Sequence, residues 1–128
     1  MAATLTLDVL PGEVVVARLD PASAVPTWAY DRTFCALVLT ADELTVVCPE
    51  AAVPAGVRSE GPFRVLAVRG PLDFALTGIL ASLTRPLAEA AISIFALSTF
   101  DTDVLLVRTA DLPAATRALT AAGHRIGP

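Results

Sequence analysis

Residues 70–107 read GPLDFALTGILASLTRPLAEAAISIFALSTFDTDVLLV, and the fold is decided there. Leu76, Ile79, Leu80, Leu83, Leu87 and Ala90 recur at three- and four-residue steps, the pattern of a helix with one buried stripe. Pro86 interrupts this stripe. It removes one backbone hydrogen bond, which predicts a kink and not an end, because the stripe runs on past it. Residues 92–97 alternate as a strand, 98–103 form a polar turn, and 104–107 return as a buried strand. Working outward, residues 63–68 predict a strand before this block. After it, Leu112, Ala115, Leu119 and Ala122 predict a helix capped by Thr109 or Asp111, with Pro113 tolerated in its first turn and Gly123 as its stop. Residues 124–126 predict a last edge strand. The order from Phe63 is β-α-β-β-α-β, the ferredoxin-like α+β arrangement with two helices on one face of an antiparallel sheet.

The first half predicts a weaker version of the same unit. Residues 5–10 and 14–19 read as paired strands around the Pro11-Gly12 turn, and the second is rich in β-branched residues. Two prolines make 20–26 a loop, and Thr27 is a candidate cap for a short helical turn carrying Trp28. The simplest role for Trp28 is to cover one end of the sheet; a ligand or subunit contact is the alternative. Residues 34–39 and 44–48 predict a hairpin. If Leu39 faces Leu44, Cys35 falls opposite Cys48. Two reduced core thiols are the simplest reading, and a redox pair is the alternative. Residues 49–54 are a short turn or helix. Gly56, Gly61 and Pro62 mark 55–62 as the junction, so residues 1–62 are expected to form a degenerate N-terminal subdomain and 63–128 the C-terminal domain.

A chain of 128 residues fits one domain or two small subdomains, and burying roughly 65–70 % of its unfolded surface gives it a core without staples. It is 55 % hydrophobic, a surplus that points to oligomerisation. The net charge is −4 and the nine arginines do not cluster, which argues against nucleic-acid binding, since neutralising phosphates needs several cations on one face. Charges and prolines break every apolar run well short of a membrane span. The first residues lack the basic and apolar regions of a signal peptide, so a cytoplasmic protein with reduced cysteines is expected.

Chemistry for catalysis is sparse. There is no phosphate-binding glycine loop, nucleophile elbow or metal-protease helix, and the single His124 has no partner motif. No catalytic residue, metal or cofactor is assigned. Two cysteines and one histidine are too few for a structural zinc site. Asp101 and Asp103 read first as turn chemistry. The segment 71–78 is more informative. It leads into a helix N-terminus, where free N–H groups and the dipole favour an anion such as a carboxylate. Asp73 or Thr77 capping that helix is the alternative. Across from it, Ser98 and Thr99 offer hydroxyls, Phe100 an aromatic face and Asp103 a negative charge suited to an ammonium group.

The β-α-β-β-α-β order, the stretch LTGILASLTRPLAEAAISIFALSTFDTDVLLV and the earlier ELTVVCPE resemble the ACT-domain family over residues 10–123, most closely its small bacterial members related to the cytosolic arginine sensors of animals. ISIFALSTFDTD is the most specific motif. The resemblance implies a non-enzymatic regulatory protein that binds a small effector, usually an amino acid, between ACT modules. It implies a homodimer, because one chain supplies half of that arrangement. The positions that look like ligand contacts are Ser93 and Ile94 from one copy. From the other they are Thr99, Phe100 and Asp103, with the loop residues Asp73, Phe74, Leu76, Thr77 and Gly78. An ACT-type oligomerisation or protein-interaction module, docking an unidentified protein partner without a small ligand, is the alternative.

Overall fold

The computed structural model describes residues 4–73 and 75–127. Its elements are β1 (Thr6–Val9), β2 (Val14–Leu19), β3 (Ala36–Leu39), β4 (Leu44–Pro49), β5 (Arg58–Val68), α1 (Ile79–Glu89), β6 (Ile94–Ser98), β7 (Asp103–Arg108), α2 (Leu112–Ala121) and β8 (Arg125–Gly127). The chain divides into two compact units, one of residues 11–63 and one of residues up to Leu10 together with those from Arg64 on. From β5 to β8 the order is the ferredoxin-like βαββαβ of an α+β fold.

In the 11–63 unit the strand order is β3-β4-β2-β5, with every neighbour antiparallel. Val15, Ala29, Leu44, Val46 and Cys48 make its core, and Trp28 packs against them from the side. The short helices expected here are single 3-10 turns at Thr27–Ala29 and Glu50–Ala52. Thr27 is not the cap; Pro26 holds that position and no side chain bonds the turn. β5 starts at Arg58, inside the segment expected to be a junction, because β2 pairs with it from Arg18↔Arg58 to Val16↔Glu60. The register slips before Val14↔Phe63. Pro62 has no N–H to give the ladder, and such a bulge is where proline is tolerated. Gly61 fits there at φ 144°; a Cβ on it would lie 3.0 Å from Val15 Cγ1 and 3.1 Å from the Val14 carbonyl.

In the other unit the order is β6-β7-β5-β1-β8. The expected pairing of residues 5–10 with 14–19 is therefore corrected: β1 lies between β5 and β8, antiparallel to the first (Leu7↔Val68) and parallel to the second (Leu7↔Ile126). The expected 1–62 subdomain loses its first strand for the same reason. Two ladders satisfy both edges of β1, and Leu5 and Leu7, 7 % and 0 % exposed, enter a core with Leu66, Val68, Leu83, Leu87, Leu105, Val107 and Leu119. On the surface beside them Arg69 grips Asp8 through two hydrogen bonds, which hold the Asp8 carboxyl below its ordinary range.

The helix stripe is shorter than its periodicity. Leu83 and Leu87 are buried, and Ile79 and Leu80 pack partly against the core. Leu76 and Ala90 are exposed instead: the helix begins only after Gly78, which sits left-handed at φ 77°, and Ala90 is its C-cap beyond the last helical residue, Glu89. In the second helix Ala122 is likewise exposed beyond the last turn, and Asp111 holds the cap position without a side-chain cap bond.

Pro86 lies within α1, and its missing N–H is the one that would reach the Ser82 carbonyl four residues back. His124 supplies the replacement. Its Nδ1 accepts from the Leu5 N–H at 3.2 Å, so its proton sits on Nε2, which lies 3.1 Å from the Ser82 oxygen. One buried imidazole, 4 % exposed, thus joins β1, α1 and the lead into β8.

This account makes the two residues energetically coupled. His124→Phe leaves the Leu5 N–H and the Ser82 carbonyl unpaired and is expected to cost about 2–5 kcal/mol. Pro86→Ala returns an N–H to Ser82, so in that background the cost of His124→Phe should fall by about 1 kcal/mol. Urea unfolding of the double-mutant cycle measures the difference, and strict additivity would remove the explanation.

Candidate functional site

A groove that brings polar groups together lies in the β1/β5–β8 unit, between the loop before α1 and the β6–β7 turn. It has a volume of about 270 Å3. Leu72, Asp73 and Leu76 line one side; Ser98, Thr99, Phe100, Asp101, Thr102 and Asp103 line the other.

The turn is built by its own sequence. The Thr99 N–H donates to the Thr102 carbonyl at 2.7 Å, and the Thr99 hydroxyl donates to that carbonyl at 3.1 Å and accepts from the Thr102 N–H at 3.1 Å. The 99–102 pair is hydrogen-bonded, so Ser98↔Asp103 is the next, non-hydrogen-bonded pair, where facing side chains stand closest. There the Ser98 hydroxyl donates to Asp103 Oδ1 at 2.6 Å. This short bond to a carboxylate aims the Asp103 side chain along the hairpin. Phe100, at the tip, is 83 % exposed.

Two contacts fix the loop to the turn. The Leu72 N–H donates to the Asp101 carbonyl at 2.7 Å, and the Thr102 hydroxyl donates to the Val68 carbonyl at 2.6 Å. Gly70 allows this approach: a Cβ there would stand 3.2 Å from the Asp101 oxygen and 3.3 Å from Thr102 Cβ. On the loop, Asp73 Oδ1 accepts from the Ala75 N–H at 2.8 Å, so this carboxylate shapes its own turn and does not cap α1. The cap position belongs to Gly78, with no side-chain cap bond.

Comparisons with known proteins bear on the fold that carries this groove. A model of the ACT domain matches residues 58–121. The chain belongs to the ACT-domain family. A second model, of an N-terminal domain, matches residues 12–56. A crystal structure of a protein from Agobacterium tumefaciens is 38 % identical, with a TM-score of 0.93 over 98 % of this chain and 94 % of that one. Aspartate kinase from Clostridium acetobutylicum, described as an allosteric enzyme, shares the fold at 14 % identity and TM-score 0.72, over 94 % of this chain and 35 % of the kinase. The regulatory subunit of aspartate kinase from Thermus flavus does so at 11 % identity and TM-score 0.61, over 94 % of this chain and 97 % of the subunit.

Of the ten ACT-type contact positions expected from sequence, the groove gathers Asp73, Leu76, Thr99, Phe100 and Asp103. Thr77 and Gly78 are not in its lining. Gly78 borders a second groove of about 430 Å3 along α1, with Arg85, Glu89 and His124. Both His124 nitrogens are engaged there by backbone groups. Ser93 is exposed just ahead of β6, and Ile94 packs partly into the core at its start; neither reaches the groove of its own chain. Phe74 lies outside the described residues. Sequence reasoning missed Leu72 and Thr102 and left Asp101 as turn chemistry. The Gly70-Pro71 step was the one signal of a close backbone approach, and it does not name the partner. Among the described residues no group of three metal-ligating side chains converges, and no helix is long and apolar enough to cross a membrane.

Thr102→Val removes the bond to the buried Val68 carbonyl. It is expected to cost about 1–2 kcal/mol in urea unfolding. It should also speed hydrogen exchange at the Leu72 amide, whose acceptor is on the same turn; unchanged exchange there would mean that the loop is held by something else.

Proposed function

We propose that this chain is a non-enzymatic regulatory ACT protein of the small bacterial type related to the arginine sensors, acting in the cytoplasm as a homodimer with an amino acid bound between modules. The observation that carries the reading is the charge of the groove: its lining holds Asp73, Asp101 and Asp103 and, among the described residues, no cation. That favours a ligand with one or more positive groups. Asp103, aimed by Ser98, receives the ammonium. The ligand carboxylate turns away from the three aspartates, toward the open side of the groove. Asp73 and Asp101 remain for a cationic side chain, and a second copy brings Ser93 and Ile94 over the opening. Membership of the ACT family supports the class, and the regulatory subunit of aspartate kinase is a neighbour in fold.

A second reading, an ACT-type oligomerisation or protein-interaction module without a small ligand, draws on β3. This edge strand carries Leu37, Val38 and Leu39 at 44 %, 43 % and 59 % exposure and has no charge.

A thermal-shift scan over the amino acids separates the two. At about a hundred times its Kd a ligand adds about 2.7 kcal/mol to stability. Arginine and lysine should give the largest shifts, and Asp103→Asn should abolish them. A dimer by sedimentation that no amino acid stabilises at millimolar concentration would favour the second reading and reject the first.

A further inference from the structure

The β3–β4 hairpin carries both cysteines. At its loop the Thr40 N–H donates to the Glu43 carbonyl at 3.0 Å, so 40 and 43 form a hydrogen-bonded pair. Hydrogen-bonded and non-hydrogen-bonded pairs alternate along an antiparallel ladder. Counting outward, Leu39↔Leu44 and Leu37↔Val46 are non-hydrogen-bonded, and Val38↔Thr45 and Ala36↔Val47 are hydrogen-bonded. Continuing that register by one residue sets Cys35 against Cys48 in the next non-hydrogen-bonded position. Cα atoms in such a pair stand about 4.5 Å apart, within the span of about 4.4–6.8 Å that a disulfide bridges, and both side chains leave the same face.

The two thiols are both free and differ in access: Cys35 is exposed and Cys48 is buried in the core. Burial raises the Cys48 thiol above its ordinary range, and the neighbouring Cys35 raises it further. An exposed thiol in register with a buried one has the layout of an entry residue and a resolving residue.

We propose that Cys35 and Cys48 form a thiol–disulfide exchange site that takes a small-molecule disulfide as its oxidant and closes to a cross-strand bridge between β3 and β4. In the first step the Cys35 thiolate attacks one sulfur of the small disulfide, forms a mixed disulfide and releases one small thiolate. In the second, the Cys48 sulfur attacks the Cys35 sulfur, the second small thiolate leaves, and the Cys48 proton goes to it. Two protein thiols lose two electrons and two protons in all, and one small disulfide becomes two small thiols. A cross-strand bridge of this kind is opened again by thiol attack on either sulfur, the reverse of the steps that form it. Closing it ties the uncharged edge strand covalently to its neighbour β4.

The test incubates the folded full chain in glutathione disulfide and reads intact mass and free thiols. The wild type is expected to lose two hydrogens and both free thiols without gaining mass, and to recover them in reduced glutathione. Cys48→Ala should stop with one glutathione on Cys35, and Cys35→Ala should stay unmodified while folded. The proposal falls if the wild type holds glutathione stably on Cys35, links two chains through Cys35, or keeps both thiols where the urea-unfolded chain is oxidised. Circular dichroism checks the fold of each variant, and the wild-type results decide alone if Cys48→Ala does not fold.

Discussion

The hydrogen-bond chain from Leu5 through His124 to Ser82 is the constraint on which the β1/β5–β8 unit depends. A proline in the middle of α1 leaves a carbonyl without its donor, and a buried orphan of that kind costs on the order of 1–3 kcal/mol. An imidazole is suited to the gap because it donates at one nitrogen and accepts at the other. The accepting nitrogen captures the Leu5 N–H, one residue ahead of β1. The proline in the helix and the foreign strand in the sheet are therefore two ends of one arrangement. Without β1, the strand order would leave β5 and β8 as neighbours. With it, Leu5 and Leu7 fill the space between α1, α2 and the sheet.

The same alternation of close and wide strand pairs governs both hairpins. Each closes on a four-residue turn whose first N–H bonds the last carbonyl, Thr40 to Glu43 and Thr99 to Thr102. In each, the pair just outside the turn is a close one. At β6–β7 that position holds Ser98 and Asp103, and the outcome is a hydroxyl clamped to a carboxylate at 2.6 Å. At β3–β4 it holds Leu39 and Leu44, and carrying the register one residue past Ala36↔Val47 brings Cys35 and Cys48 to the third close position. Turn length, a local property of sequence, thus fixes which side chains can react or bond across each hairpin.

What was legible in the sequence follows the range of the interactions. The stripes of α1 and α2, the buried run of β7 and the Leu39↔Leu44 register are local patterns, and they read correctly at their centres. Their ends did not: Leu76 and Ala90 continue the period of α1, but the left-handed Gly78 and the last turn cut it short. The partner of β1 was not legible, because Leu5, Leu7 and Val9 alternate equally well for any neighbour. The choice is made by residues more than fifty positions away, at Val68 and Ile126. The groove divides in the same way. Thr99, Phe100 and Asp103 belong to a turn that announces itself. Leu72 and Thr102 enter through contacts with Asp101 and Val68 that no spacing encodes.

The groove also concentrates charge of one sign, and that sets its balance of forces. Asp73, Asp101 and Asp103 share one lining, while Arg69 in the same unit is committed to Asp8. Like charges at a surface repel weakly when water and salt screen them, so an open acidic groove costs the fold little. Covering it removes that screening and strengthens the repulsion unless a cation is enclosed as well. A lid over this groove, whether a second copy of the chain or another protein, therefore closes more favourably with a positively charged ligand inside than without one. On the proposed reading, the acidic lining would link ligand charge to assembly through electrostatics alone, without requiring the fold itself to rearrange.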